Sequence, residues 1–285
     1  MSRIAYVNGQ YLPHSMAAVH IEDRGYQFSD GVYEVIAVLK GQLVDMDGHM
    51  VRLQRSLKEL DMAWPVAASA MLVIIREVIR RNRIRDGIVY MQITRGVAPR
   101  NHAFPEHQNS SLVLTAKRFP PFNFEAAGKG VSVITTPEIR WARRDIKTVS
   151  LLGNCLAKEE ATKAGAYEAW FVEPDGKITE GTSSNAWILT AEGDLVTRPA
   201  SSDILNGITR LSIMKVADEH GIEFIERAFT LEEALKAKEA FVSSTTSFVK
   251  PVVEIDGNKV GDGTVGPLAT KLLDYYGEHL KAQTI

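Results

Sequence analysis

The chain has 285 residues, 33 of them basic and 35 acidic, for a formal charge of −2. With 45 % hydrophobic and 24 % charged residues it is not a disordered chain, and its length suits two modest domains or one large one. The near-neutral balance leaves no basic footprint for nucleic acid, and no run approaches the roughly 18 apolar residues of a membrane span.

The first residues contain no apolar core of signal-peptide length. Ile4–Val7 and Gln10–Leu12 flank Asn8-Gly9, the pair favoured in type I′ turns, so the chain opens on a β-hairpin. A second strand pair is expected over Val32–Leu39 and Leu43–Asp45, turning at Lys40-Gly41. Met50, Leu53, Leu57 and Leu60 then recur at helical spacing and leave Arg55, Lys58 and Glu59 to solvent. The next helix carries Met71, Ile74, Ile75, Val78 and Ile79 as its apolar stripe, with Arg76, Arg80, Arg81 and Arg83 as a solvated face. Strands over Ile88–Thr94 and Leu112–Ala116 follow, separated by the polar loop Arg95–Ser111.

Pro120 and Pro121 donate no backbone hydrogen bonds and interrupt both periodicities. The expected division is a small α+β domain over residues 1–118, a linker over 119–125 and a second domain over 126–285. In that second part Val131–Thr135 reads as a strand and Leu151–Ala164 as a helix, followed by strands Ala169–Val172 and Ala186–Leu189. A helix runs from Ile208 to about His220 and stops at Gly221. After strand Ile222–Ile225, Thr230-Leu231-Glu232-Glu233 has the pattern of a capping box. Strands Ala240–Ser243 and Val252–Ile255 precede a terminal helix opened by Pro267. The sole cysteine, Cys155, sits in Leu151–Leu156, which reads as an apolar helix face, so a buried structural thiol is expected. One cysteine permits no intramolecular disulfide, and the expectation is a soluble cytoplasmic protein. Mixed strands and helices with many hairpins point to two α+β domains with a cleft between them.

Several enzyme classes drop out at once. The seven histidines are dispersed and none pairs with a carboxylate or cysteine as a zinc site requires, so no metal is expected. GxxxxGK[ST], GxGxxG after a strand and GxSxG are all missing. Lys147 stands between Ile146 and a run that turns helical; partial desolvation there favours the neutral, nucleophilic amine. A surface lysine among arginines has the same spacing. Glu180 falls in Ile178–Asn185, a hydroxyl-rich stretch that reads as a turn. Asn206-Gly207-Ile208-Thr209-Arg210 offers backbone amides at a helix start, and Ser243-Ser244-Thr245-Thr246 offers hydroxyls at a strand end. Arg52, near the first turn of its helix, adds a bidentate cation. An imine-forming lysine, a carboxylate and a phosphate cradle are together what pyridoxal phosphate requires.

Two further motifs join these segments: Glu22-Asp23-Arg24-Gly25-Tyr26-Gln27-Phe28-Ser29-Asp30-Gly31-Val32-Tyr33-Glu34 and Arg95-Gly96-Val97-Ala98-Pro99-Arg100-Asn101-His102. With Arg144–Thr148, Thr179–Asn185, Gly207–Arg210 and Ser243–Thr246 in the same order, the chain resembles the fold type IV (class IV) pyridoxal-phosphate-dependent aminotransferases over essentially its whole length. Within them it is similar to the D-amino-acid transaminases. Ser29 stands where that first motif often has glycine.

The resemblance implies a small N-terminal α/β domain, a larger C-terminal domain with a barrel-like sheet, and pyridoxal 5′-phosphate in the cleft between them. It implies that Lys147 binds the cofactor and moves the proton, while Glu180 faces the pyridine nitrogen. By the same resemblance Arg52, Ile208, Thr209 and Thr245 cradle the phosphate, and Leu205 packs on the ring. Tyr33, Arg100 and His102 match the group that holds the substrate carboxylate, with Tyr90 beside Tyr33 in the pocket. The implied reaction moves an amino group from a D-amino acid to a 2-oxo acid such as 2-oxoglutarate or pyruvate. A homodimer is implied too, with the Arg100–His102 loop reaching the neighbouring subunit's site. The alternatives are a branched-chain L-amino acid or (R)-amine transaminase, which Arg100-x-His102 disfavours, an aminodeoxychorismate lyase, and a binding module without activity.

Overall fold

Asn8 and Gly9 take φ of 44° and 95° and close the hairpin of β1 (Ile4–Val7) and β2 (Gln10–Pro13), a geometry that glycine adopts freely and asparagine at less cost than most residues. The computed structural model describes residues 3–283. These divide into two units: the chain up to Phe122 together with Ile146–Ser150, and Asn123–Asp145 together with Leu151–Gln283.

The first unit continues through α1 (Arg24–Phe28), β3 (Gly31–Leu39), β4 (Gln42–Leu43), α2 (Met46–Glu59), α3 (Ala68–Asn82), β5 (Gly87–Thr94) and β6 (Ser111–Arg118). Its six strands form an antiparallel sheet in the order β2-β1-β6-β5-β3-β4. Period-two alternation sends Val89, Met91 and Ile93 of β5 into the core, against Leu53 and Leu57 of α2 and Met71, Ile75 and Val78 of α3. Each such side chain contributes about 1.5–3 kcal/mol by burial. Tyr90, Gln92 and Thr94 consequently share the opposite face. Ser29 ends α1 in the left-handed region at φ 58°, the conformation for which glycine is the default residue.

Three expectations change in this unit. The strand after Gly41 ends at Leu43, because Asp45 turns left-handed, φ 50°, to start α2. Helix α2 therefore begins earlier than its apolar stripe, and Arg52 lies in its second turn. Finally, Ile146–Ser150 return to this unit, so the contiguous division at residues 119–125 is interrupted. Ile146 is buried in the first core, and Val32 forms an antiparallel bridge with Thr148.

The second unit holds α4 (Phe124–Ala127), β7 (Val131–Pro137), α5 (Leu152–Lys163), β8 (Glu168–Val172), β9 (Ile178–Gly181), β10 (Asn185–Leu189) and β11 (Leu195–Thr197). After these come α6 (Ile208–Glu219), β12 (Phe224–Glu226), α7 (Leu231–Leu235), β13 (Glu239–Ser244), β14 (Phe248–Ile255), β15 (Asn258–Lys259) and α8 (Pro267–Ala282). The strands run β12-β11-β10-β13-β14-β7-β8-β9, with β15 added to β14. Because β9 returns beside β10, the sheet curls into an incomplete barrel around Trp170, Ile188, Val242 and Val252. Thr230 and Glu233 close a reciprocal capping box on α7.

Two expectations are corrected here. Cys155 is exposed rather than buried. Helix α5 turns Ala157 and Ala161 onto β8, where small side chains let the helix lie close, and leaves Leu152 and Leu156 73 % and 52 % exposed. Glu180 lies on strand β9 rather than in a turn; the turn begins after Gly181. Among the described residues no helix is long and apolar enough to cross a membrane.

Candidate active site

Lys147 is held by its backbone along the edge of β3. Tyr33 donates its N–H to the Lys147 carbonyl at 3.0 Å, and Val149 donates to the Gly31 carbonyl at 3.0 Å. The Lys147 N–H reaches Ser56 Oγ at 3.4 Å. A strap pinned on both sides of one residue fixes where that residue's side chain starts. The half-buried Lys147 amine lies 4.4 Å from the centre of the Tyr33 ring, a cation–π contact. Tyr33 in turn stacks on Tyr90 at 5.6 Å, and the Tyr90 hydroxyl donates to Gln92 Oε1 at 2.7 Å. Burial, with the Tyr33 phenol beside it, pushes the Tyr90 hydroxyl up to about 12, so it remains a neutral donor.

Arg100 and His102 lie on the exposed loop between β5 and β6, and both meet the ring of Phe28. The guanidinium sits 4.7 Å from that ring's centre and the imidazole 5.4 Å from it. One aromatic side chain of the first motif thus brings together the two residues expected to hold a carboxylate.

Arg52 is buried, and Glu34 binds it bidentately. Nε donates to Oε1 at 2.8 Å and Nη2 to Oε2 at 2.7 Å, while His49 Nδ1 meets the same Oε2 at 2.7 Å. Burial raises the Glu34 carboxyl, but Arg52 and His49 outweigh it and hold the group at about 2. Burial keeps His49 below its ordinary value. The ionised carboxylate therefore fixes the guanidinium plane, with a neutral imidazole as second partner.

In the second unit Glu180 is buried. Its Oε1 accepts from Arg140 Nη1 at 2.7 Å; its Oε2 accepts from Asn185 Nδ2 and the Leu205 N–H, each at 3.1 Å. Burial pushes the Glu180 carboxyl up, opposed by Arg140 and the Leu205 N–H. Arg140 is itself shared with Glu138, Nη2 to Oε2 at 2.6 Å, and its guanidinium lies over Phe171. The result is a carboxylate of raised basicity on a rigid strand, which suits a group that must share a proton with a ring nitrogen. The hydroxyls of Thr182, Ser183 and Ser184 are turned onto buried Glu168.

The expected phosphate cradle also fits an anion. Gly207 is the N-cap of α6 and has no side chain to cap it, so the helix start offers the amides of Ile208 and Thr209 at the positive end of the dipole. A Cβ on Gly207 would sit 2.1 Å from Asn185 Oδ1, so only glycine lets this turn approach the residue that also binds Glu180. The carbonyl of Leu205 accepts from the same Asn185 amide at 2.9 Å. Thr245 lies in the turn between β13 and β14. Arg210 takes no part in the cradle: it is buried and directed to Glu226, the Arg198 carbonyl and Asn206.

The sequence reading named Lys147, Tyr33, Tyr90, Arg52, Arg100 and His102, which belong to the first unit, and Glu180, Leu205, Ile208, Thr209 and Thr245, which belong to the second. It missed the residues that orient them: Glu34 and His49 for Arg52, and Arg140 and Asn185 for Glu180. Glu34 stood in a quoted motif and Asn185 in another, but Arg140 had no local signal.

A strapped lysine beside an aromatic pair in the first unit, and a buried carboxylate and a glycine-started helix in the second, are the groups that a group-transfer enzyme of the pyridoxal type needs. Residues 31–255 match the family of amino-transferase class IV, and the chain belongs to that family. It is 38 % identical over 280 residues to the D-alanine aminotransferase of Staphylococcus haemolyticus, covering 98 % of each chain. It is 42 % identical over 262 residues to the D-alanine aminotransferase of Bacillus licheniformis, covering 92 % of this chain and 91 % of that one. Among solved structures it superposes on a T.th. branched-chain amino acid aminotransferase with pyridoxamine 5′-phosphate, with a TM-score of 0.89 and 26 % identity, covering 100 % of this chain and 95 % of the other. The Escherichia coli branched-chain amino acid aminotransferase gives a TM-score of 0.88 at 25 % identity, covering 97 % and 94 %.

Proposed function

We propose that this aminotransferase moves the amino group of a D-amino acid such as D-alanine to a 2-oxo acid, 2-oxoglutarate or pyruvate, in two half-reactions on pyridoxal 5′-phosphate. The observation that carries the reading is the convergence of Arg100 and His102 on the Phe28 ring, which presents a guanidinium and an imidazole together for one carboxylate. Curated relatives that share the reading over nearly their whole length support the D-amino acid as substrate.

When bound, the cofactor supplies an electron sink for the bond from Cα to hydrogen. In this reading Lys147 Nζ would hold the cofactor covalently in the resting enzyme. Once free, that amine would be the base that takes the proton from the substrate Cα. Glu180 holds a proton on the ring nitrogen, and Arg140 keeps that carboxylate oriented. Arg52, the amides of Ile208 and Thr209, and the Thr245 hydroxyl bind the phosphate, while Leu205 packs on the ring. Tyr33 and Tyr90 bound the substrate side. Pinning the carboxylate at Arg100 and His102 decides which enantiomer turns its Cα–H toward Lys147.

We infer further a cytoplasmic homodimer. Met16, Ile21, Tyr26, Val97 and Phe104 of the first unit are exposed large apolar side chains, the kind of surface a second copy covers, and Val97 and Phe104 lie on the same loop as Arg100 and His102. The test of the reaction is a half-reaction followed by cofactor absorbance with D-alanine and, separately, L-alanine. Conversion to the pyridoxamine form by the D-enantiomer alone is expected; conversion by L-alanine alone would transfer the chain to the branched-chain type.

A further inference from the structure

Arg24 opens α1 and is 2 % exposed, yet its guanidinium is spent on the loop that carries the proposed carboxylate group. Nη1 donates to the carbonyls of Asn101 at 2.6 Å and Ala103 at 3.3 Å, and Nη2 donates to the carbonyl of His102 at 3.3 Å. Three consecutive carbonyls are thereby drawn to one rigid fork. The guanidinium also lies 4.8 Å from the centre of the Phe28 ring, the ring that Arg100 and His102 share. At the root of the loop the Arg24 N–H donates to the Gly96 carbonyl at 2.9 Å.

Arg24 is held in turn by Asp30. Its Nε donates to Asp30 Oδ2 at 2.8 Å, and Arg95 Nε donates to the same oxygen at 2.8 Å. Arg95, 1 % exposed, lies 3.5 Å from the centre of the Phe104 ring and donates to the carbonyls of Leu60 and Asp61. The loop itself is exposed, without strand or helix of its own, so these two buried arginines are what give residues 100–104 a defined place. A planar guanidinium with five fixed donors does this; a lysine at position 24 would reach one carbonyl at a time.

We infer that Arg24 is a positioning residue for substrate recognition, fixing Arg100 and His102 through their backbone and through Phe28, and so setting the affinity for the substrate carboxylate. The inference rests on the proposed role of Arg100 and His102. It assigns Arg24 no contact with substrate, only the geometry of the group that makes it.

The test is steady-state kinetics of the holoenzyme with D-alanine for Arg24→Met, Arg100→Ala and the double variant, with cofactor content read by absorbance. A misplaced charged clamp loses ground-state binding, so Arg24→Met should raise KM by about tenfold with kcat within about threefold and the cofactor spectrum unchanged. Because Arg24 acts through Arg100 together with His102, the Arg24→Met and Arg100→Ala effects on KM should combine to less than their product, with only the share carried by His102 left for Arg24→Met to add. Arg24→Lys should recover only part of the loss. If KM stays at the parent value in Arg24→Met while Arg100→Ala raises it, the inference fails and the carboxylate reading stands. Full multiplication of the two effects in the double variant would also overturn it, because a merely structural role adds independently. An unchanged KM in Arg100→Ala would remove the carboxylate reading, and this inference with it. Should Arg24→Met not fold, Arg24→Lys answers the same question, since it keeps a cation beside Asp30 while withdrawing the guanidinium fork from the three carbonyls; a raised KM is then expected, and a KM at the parent value would overturn the inference.

Discussion

Arg140 and Glu180 form an ion pair at 2.7 Å with both side chains 7 % exposed, and Glu138 binds the other side of the same guanidinium at 2.6 Å. One cation thus lies between two buried carboxylates. Removing it leaves both charges without their main partner.

The variant Arg140→Met should therefore lose stability by about 3–5 kcal/mol, the cost of breaking a buried pair from one side. The effect on chemistry has a defined sign. Burial already pushes Glu180 up, and Arg140 is the largest influence holding it down. Without that influence the carboxyl takes up its proton at higher pH, and the acid limb of the kcat profile should move upward. A fall in kcat of about 10² at neutral pH is expected, the scale of losing one preorganised electrostatic partner. Arg140→Lys should keep much of the profile. An acid limb unmoved in Arg140→Met would detach Arg140 from Glu180 function.

Ser29→Gly is expected to stabilise the first unit. Ser29 holds φ at 58°, where a Cβ crowds the following carbonyl at about 1–2 kcal/mol, and glycine returns part of that gain as unfolded-state entropy. The net should be a few tenths to about 1 kcal/mol, visible as a higher denaturant midpoint with unchanged slope. A lower midpoint would show that the serine side chain contributes more than its backbone costs.

What the sequence made legible was short-range. The Asn8-Gly9 hairpin, the stripe of α3 from Met71 to Ile79 and the Thr230–Glu233 capping box are each specified by residues a few positions apart, and all appear in the structure. Cys155 was misread because an apolar run on a helix says which residues are greasy but not which face meets the sheet; the small residues Ala157 and Ala161 won that face. The return of Ile146–Ser150 to the first unit depends on bridges to β3, more than a hundred residues away in the chain, and no local pattern encodes it. The site shows the same limit. Lys147 and Glu180 are each ambiguous alone, and only the order of six motifs along the chain gives them a role. Asn185 stands in the motif of Glu180 itself, but Arg140, forty residues before it, is visible as its partner only in three dimensions.

Exposure of Cys155 carries its own expectation. Its thiol should react with an aromatic disulfide reagent in the native protein at a rate close to that in denaturant, and Cys155→Ser should change stability by no more than about 0.5 kcal/mol. Protection of the thiol in the native protein, released on dilution into monomers, would place α5 in a contact between copies.

Acid stability should be governed by the cluster beneath Arg52. Glu34, wholly buried, is held at about 2 against an ordinary value of 4.5, so unfolding lets it bind a proton that the folded protein refuses. Its contribution is fully present above about 4.5 and is lost as pH falls toward 2, and the shift corresponds to about 3 kcal/mol. His49 adds to the same slope at higher pH. Burial lowers it below its ordinary value of 6.5, so the unfolded chain again binds the extra proton, and stability begins to decline as pH drops below 6.5. The two together give a protein whose denaturant midpoint falls first below neutrality and more steeply below about 4.5. Replacing Glu34 by Gln should flatten the lower part of that curve. It should also weaken the hold on the Arg52 guanidinium, because a neutral amide offers one acceptor oxygen where the carboxylate offers two charged ones, at 2.8 and 2.7 Å. An Arg52 less firmly oriented should hold phosphate less well, read as a raised dissociation constant for pyridoxal phosphate in the apoenzyme. A Glu34→Gln protein with unchanged acid titration would show that the carboxylate is protonated in the native state, contrary to its two-sided binding by Arg52 and His49.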